Sequence, residues 1–279
     1  MRLRSLLFVP GDRPDRMEKA AATDADALIL DLEDSVALEK KPEARQGAAA
    51  FLGRKRAKPL FVRVNAGFMD QDLQAVMPLK PDGIVLPKAQ GGVSLAGLDR
   101  RLAAHGDAET RILPIVSETP AAIFALGSYG GVTKRLCGLS WGVEDLSAAI
   151  GAATAREADG RYTPVFETVR ALALFAAHAA SVPAIETIYP DLKDQEGLKA
   201  YAERGRRDGF SGMLAIHPAQ IPVINRAFAP SLAERDWARQ VVDAFAANPH
   251  AGVLTLDGQM LDAPHLARAK NILDRLADT

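Results

Sequence analysis

The 279 residues are 48% hydrophobic, enough to bury a large core as one barrel or two smaller domains, and 34 Lys and Arg against 35 Asp and Glu leave a formal charge of −1. No global basic field is present to hold nucleic acid or an anionic membrane, so any anionic ligand must meet local charge. The single cysteine, Cys137, excludes an intrachain disulfide and a thiolate metal cluster, and fits a reducing cytoplasm.

In chain order, the N-terminus MRLRSLLFVPGD has an apolar run only at 6–9, too short for a signal-peptide core or a membrane span, and it reads as a buried strand. Apolar runs bounded by Gly, Pro or charged residues then recur, giving predicted strands at 5–9, 27–32, 60–64, 83–87, 112–117, 136–141, 183–188 and 212–216. Ala-rich amphipathic stretches between them, such as 14–22, 120–126, 166–180 and 198–207, suit helices, several opening with Pro or acidic residues. Eight near-continuous apolar runs alternating with helices predict a closed parallel (β/α)₈ TIM barrel over 1–228, the catalytic domain, rather than a doubly wound sheet. The polar segment 152–164 in the longest crossover reads as a surface loop or an oligomer contact. The basic cluster Arg54, Lys55, Arg56 and Lys58 reads as a solvated turn before a strand. A short C-terminal extension, 229–279, holds a predicted helix at 231–247, a Pro/Gly-broken stretch at 248–262 and a last helix at 264–277.

Polar residues at the C-terminal ends of barrel strands face the active site, and those ends are heavily charged here. Strand two ends in Asp31, Glu33 and Asp34, strand three carries Arg63 and Asn65, and strand four ends in Lys88. Strands five to eight contribute Glu118, then Glu144 and Asp145, then Glu186 and Asp191, then His217. So much charge at one rim needs mutual pairing or a metal. Glu118 and Asp145, just past adjacent strands, suit a hard cation completed by water and substrate oxygens, which is a Mg²⁺ site. Zinc would ask for closely spaced His or Cys, which the five histidines do not provide. The alternative is that the two carboxylates cap the helices that follow them.

Arg63 lies in the extended run FVRVN, where a buried guanidinium needs acidic partners or a bound anion; a substrate carboxylate or enolate fits, as does an ion pair with Glu33 or Asp34. Gly142 and Val143 precede the Glu144–Asp145 pair, where backbone amides can approach a carboxylate. Lys88 reads as a salt-bridging residue and His217 as a hydrogen-bonded rim residue.

The blocks RSLLFVPG from Arg4, LILDLEDSV from Leu28, FVRVN from Phe61, GIVLPK from Gly83, SETP from Ser117, LSWGVEDL from Leu139, AIHPAQI from Ala215 and DGQMLDAPH from Asp257 run in order along nearly the whole chain. Together they resemble the citrate lyase β-subunit-like proteins of the HpcH/HpaI aldolase/citrate lyase superfamily, kin to malyl-CoA and citramalyl-CoA lyases. The resemblance implies a homotrimer or hexamer, Mg²⁺ on Glu118 and Asp145, and Arg63 at the reacting oxygen of a CoA thioester or a small 2-oxo or hydroxy acid. A related aldolase branch has a histidine where this chain has Asp34, which sides the sequence with the lyases.

The expected reaction is Mg²⁺-dependent carbon–carbon cleavage of a 3-hydroxyacyl thioester of the citramalyl-CoA or malyl-CoA type to a 2-oxo acid and acetyl-CoA. Glu33 and Asp34 would act through metal-bound water. Asp262, within DGQMLDAPH, would enter a neighbouring subunit's site as general acid/base, the extension serving as a lid; by local chemistry it also reads as a helix N-cap. Alternative readings are a malyl-CoA thioesterase or malate-synthase-like activity, and a citrate lyase β subunit acting on carrier-bound acyl groups.

Overall fold

The computed structural model describes residues 1–277, which fall into two compact units: Leu3–Ala227, and Met1–Arg2 together with the chain from Phe228 onward. In chain order the first unit runs β1 (Ser5–Pro10), α1 (Pro14–Ala21), β2 (Ala27–Asp31), α2 (Lys41–Leu52), β3 (Leu60–Arg63), α3 (Met69–Val76), β4 (Gly83–Leu86) and α4 (Gly92–Ala104). It continues through β5 (Arg111–Pro114), α5 (Pro120–Ile123), β6 (Leu139–Ser140), α6 (Glu144–Ala149), α7 (Pro164–Ala179), β7 (Ala184–Glu186), α8 (Gln195–Asp208), β8 (Gly212–Ala215) and α9 (Ile221–Phe228). The second unit adds α10 (Leu232–Ala247), β9 (Val253–Leu256), β10 (Gln259–Asp262) and α11 (Ala263–Ala277).

The eight parallel strands are ordered β5-β4-β3-β2-β1-β8-β7-β6, and isolated parallel bridges Ile112↔Leu136 and Ile115↔Ser140 join the two ends of that sheet. The (β/α)₈ barrel is therefore closed, as the alternation of apolar runs predicts. Its strands are apolar on both faces because one face fills the barrel and the other packs under helices. Leu6, Ala27, Ile29, Phe61, Val85, Leu113, Ile115, Ile185 and Leu214 form one buried cluster, and each large aliphatic among them contributes roughly 2 kcal/mol by leaving water.

Strand six is shorter than its apolar run suggests. The predicted 136–141 contracts to Leu139–Ser140, the chain touching β5 at Leu136 and again at Ser140 rather than along its length. The polar crossover 152–164 folds back on itself through an antiparallel bridge, Arg156↔Tyr162. The Arg156 guanidinium lies 4.1 Å over the Tyr162 ring and donates to its hydroxyl at 2.8 Å.

Within the second unit, α10 opens with a capping box in which Ser231 Oγ accepts from the Glu234 N–H and the Glu234 carboxylate accepts from the Ser231 N–H. The stretch expected to be broken is an antiparallel hairpin instead, with Leu256 opposite Gln259. Asp257 and Gly258, at φ 50° and 77°, make its two-residue turn. Both positive dihedrals match a primed hairpin turn, which Asp-Gly favours. Ala238, Val241, Leu261 and Ala269 form this unit's buried core, with Trp237, Phe245 and Leu273 packed on it. No helix among the described residues is long and apolar enough to cross a membrane.

Candidate active site

Because all eight strands are parallel, their C-terminal ends gather on one rim. Asp31 ends β2 and Arg63 ends β3, and the strand register sets them side by side. Arg63 Nε donates to Asp31 Oδ1 and Nη2 to Oδ2, both at 2.7 Å, a bidentate pair in which Asp31 is 1% exposed. Nη1 reaches Asp34 Oδ2 at 3.1 Å, and the guanidinium lies 4.8 Å over the Phe8 ring. Burial opposes charge on both partners; their mutual pairing outweighs it, so Asp31 falls below and Arg63 rises above its ordinary pKa. Sequence reasoning offered Glu33 or Asp34 as Arg63's ion-pair partner and did not single out Asp31, the closest of the three.

Lys88, just past β4, holds the acidic residues together. Its Nζ lies 2.9 Å from both Glu33 Oε1 and Asp145 Oδ2 and 3.9 Å from Asp34 Oδ1, while its backbone N–H donates to Glu118 Oε2. To aim amide and ammonium in this way Lys88 adopts φ 50°, a left-handed conformation costing about 1 kcal/mol for a residue with a Cβ. Glu118 is buried, and burial pushes its pKa up to about 8, with Glu33 and Asp145 adding to the rise against the pull of Lys88. Burial likewise raises Glu33. The capping alternatives do not describe this arrangement: Thr119, not Glu118, caps α5, and Asp145 sits within the first turn of α6 and pairs with Lys88.

A cavity of about 500 Å³ opens at this rim, and its lining includes Arg63, Asp34, Glu118, Gly142, Val143 and Asp145. These are six of the eight site residues expected from sequence. Glu33 stands at its edge through Arg63 and Lys88. Apolar wall comes from Phe8, Ile115, Trp141, Ile188 and Ile216. Gly142 serves by lacking a side chain, since a Cβ there would stand 3.0 Å from Glu118 Cγ. Its N–H donates to Ser117 Oγ at 3.0 Å, so that amide is already committed within the protein.

Not every charged strand end faces the cavity. Glu186 points into the packed layer behind the barrel and is fully buried. Its carboxylate accepts from Trp141 Nε1 at 2.5 Å and from Arg170 Nε at 2.7 Å. Asp191 is exposed and bonds locally to the Lys193 N–H. His217 caps the following turn by accepting from the Ala219 N–H. Asp262 belongs to the second unit, where its carboxylate pairs with His265 Nδ1, and that bond lowers its pKa.

The donor set fits a hard divalent cation. Five carboxylates (Asp31, Glu33, Asp34, Glu118 and Asp145) share two cationic side chains, Arg63 and Lys88, an imbalance a divalent ion would relieve. Glu33 Oε2 is buried with no hydrogen-bond donor among the described residues, Arg63 Nη1 standing 3.3 Å away out of alignment. A water held by a cation at Glu118 and Asp145 is the donor such an orphan lacks. Among the described residues no group of three His, Cys, Asp or Glu is placed to hold an ion. Two carboxylates with open positions are the pattern of a cation that keeps water and takes substrate oxygens.

The profile of the HpcH/HpaI aldolase/citrate lyase family matches residues 4–218, the whole strand-and-rim framework. The chain belongs to this family. A citrate lyase subunit beta-like protein of Mycobacterium tuberculosis is 36% identical over 280 residues, covering 98% of this chain and 95% of that protein. A (3S)-malyl-CoA thioesterase of Cereibacter sphaeroides is 33% identical over 282 residues, covering 97% and 93%. The crystal structure of M. tuberculosis protein CitE with magnesium, acetoacetate and coenzyme A superposes with a TM-score of 0.83 at 34% identity, covering 98% of each chain. Like its relatives in this family of aldolases and lyases, the chain is an enzyme built on a (β/α)₈ barrel.

Proposed function

We propose that the protein is a Mg²⁺-dependent lyase that reversibly cleaves a 3-hydroxyacyl thioester of the citramalyl-CoA or malyl-CoA type into a 2-oxo acid and acetyl-CoA. The observation that carries this reading is the convergence of Glu118, Asp145 and Arg63 on one cavity that apolar side chains also line. It is supported by CitE structures that hold magnesium with acetoacetate and coenzyme A, and with pyruvate. Glu118 and Asp145 would hold the cation, which when bound supplies Lewis acidity and a template for the substrate's hydroxyl and carboxylate oxygens.

The remaining work falls to this chain's own groups. Arg63 stabilises the thioester enolate oxygen through Nη1, the donor whose present partner, Asp34, is the most exposed of its carboxylates. The Asp31 pair meanwhile locks the guanidinium plane. Glu33 and Asp34 orient water at the cation from behind. Phe8, Trp141, Ile188 and Ile216 exclude bulk water from the enolate. Asp262 of a neighbouring copy would carry the proton to and from the acetyl methyl carbon, since carboxylates committed to a cation are poor bases. The enzyme would act as a cytoplasmic homotrimer or hexamer, the extension covering that neighbour's site.

A second reading, hydrolysis of the thioester, is favoured by the 33% identity to a (3S)-malyl-CoA thioesterase over almost the whole chain. A panel of CoA thioesters assayed with Mg²⁺, following acetyl-CoA and free CoA separately, tests both. Acetyl-CoA without free CoA supports the lyase, free CoA supports the thioesterase, and neither product from any member sinks both.

A further inference from the structure

The acidic residue at the end of β7 plays no part in the proposed chemistry, yet its carboxylate accepts four hydrogen bonds. Glu186 is 0% exposed. Its Oε1 accepts from Trp141 Nε1 at 2.5 Å, Tyr201 OH at 2.7 Å and the Thr187 N–H at 3.0 Å, and its Oε2 accepts from Arg170 Nε at 2.7 Å. Two of these four donors belong to residues that line the cavity, Trp141 and Thr187. The other two come from α8 and α7, which form the layer behind the barrel. Hydrophobic packing of equal volume serves stability as well as a buried ionic group does, so placement is what such a group can add.

Trp141 is where placement matters. Its ring is fully buried, meets Tyr162 edge-on at 5.1 Å, and forms part of the cavity wall. The next residue is Gly142, whose Cα hydrogens leave just enough room for Glu118, and three residues further stands Asp145. We infer that Glu186 is a positioning residue: by gripping the Trp141 indole N–H it fixes the turn after β6 that sets Glu118 and Asp145 in register with one another. This rests on the proposed cation site, and it adds a buried lever that reaches that site through Trp141.

The test reads Mn²⁺ binding to the purified full chain by electron paramagnetic resonance, with thermal unfolding in parallel. Trp141→Phe keeps an aromatic ring and deletes the indole N–H that Glu186 holds; Tyr201→Phe deletes a hydrogen bond to the same oxygen from a residue outside the cavity. A positioning role predicts Mn²⁺ affinity weakened by about tenfold or more in Trp141→Phe and unchanged in Tyr201→Phe, although both lose a bond to the same carboxylate. Glu186→Gln, whose amide oxygen still accepts from Trp141, should keep near wild-type Mn²⁺ affinity while unfolding at lower temperature, because Arg170 loses the more buried of its two carboxylate partners and keeps only Asp208. Equal Mn²⁺ affinity in Trp141→Phe and wild type, or equal losses in the two Phe variants, would overturn the inference. Absence of Mn²⁺ binding by the wild type would instead remove the cation site itself, and this inference with it.

Discussion

Replacing Glu118 by Gln should make the metal-free protein more stable, and the gain should depend on pH. Burial pushes the Glu118 carboxyl up to about 8 from an ordinary 4.5. Between those values the folded chain keeps a proton that the unfolded chain has released, so folding stability falls as pH rises through that window. At about 1.4 kcal/mol for each tenfold change in acidity, the loss approaches about 5 kcal/mol by pH 9. Gln has the same shape and still accepts from the Lys88 N–H, but it has no charge to bury. Urea unfolding in EDTA should therefore find Glu118→Gln and wild type similar near pH 5, with the variant about 5 kcal/mol more stable at pH 9. Saturating Mg²⁺ should raise the stability of the wild type and leave the variant where it was, because a cation at this site needs the carboxylate. A variant no more stable than wild type at pH 9 in EDTA, or equal gains from Mg²⁺ in both proteins, would refute the reasoning.

Other perturbations follow from the same geometry. Arg63→Lys loses one arm of the bidentate grip on Asp31, which should cost about 2 kcal/mol in denaturant unfolding and at least tenfold in kcat; wild-type turnover would show that Arg63 only braces Asp31. Asp262→Asn should retain assembly and Mg²⁺ affinity but lose turnover. Mixed with Asp145→Ala it should regain activity in hybrid sites, and confirmed subunit exchange without recovery would rule out a shared site. Cys137→Ser should keep full activity in the same assay, since burial pushes the thiol up to about 12 and it donates only to the Ile112 carbonyl, so any loss of rate would mean an unrecognised role.

The barrel was legible because parallel strands buried on both faces write themselves as uninterrupted apolar runs, and the rim was legible because charged residues end those runs. Arg63 stood out by its apolar setting, but its main partner is decided by which residue of β2 lies beside it, and only the Asp31↔Arg63 register fixes that. Glu186 was grouped with the rim because one residue's step along a strand reverses the face, and its partners Trp141, Arg170 and Tyr201 lie far from it in sequence. The β9–β10 hairpin did have a readable signal in LTLDGQML, where Asp-Gly separates two alternating stretches. The Pro and Gly residues that flank it mask this turn chemistry. Strand six is shorter than its run because contact with β5 is confined to Leu136 and Ser140, with Gly138 between them, and pairing of that kind is decided by the neighbouring strand.

That short strand bears on what a cation at the proposed site would do for the barrel. A barrel escapes the hazards of open strand edges only while its seam holds, and here the seam between β5 and β6 rests on two isolated bridges. Its amides include Cys137, bonded to the Ile112 carbonyl at 3.0 Å, and Val116, bonded to Ser140 at 2.9 Å. Glu118 follows β5 and Asp145 follows β6, so a cation shared by them would work as a clasp across the seam. Deuterium uptake at Cys137 and Val116 would then report occupancy of a site to which neither residue belongs. Chelator should then raise uptake at both amides while the protein stays folded, because the bridges themselves are made by backbone alone.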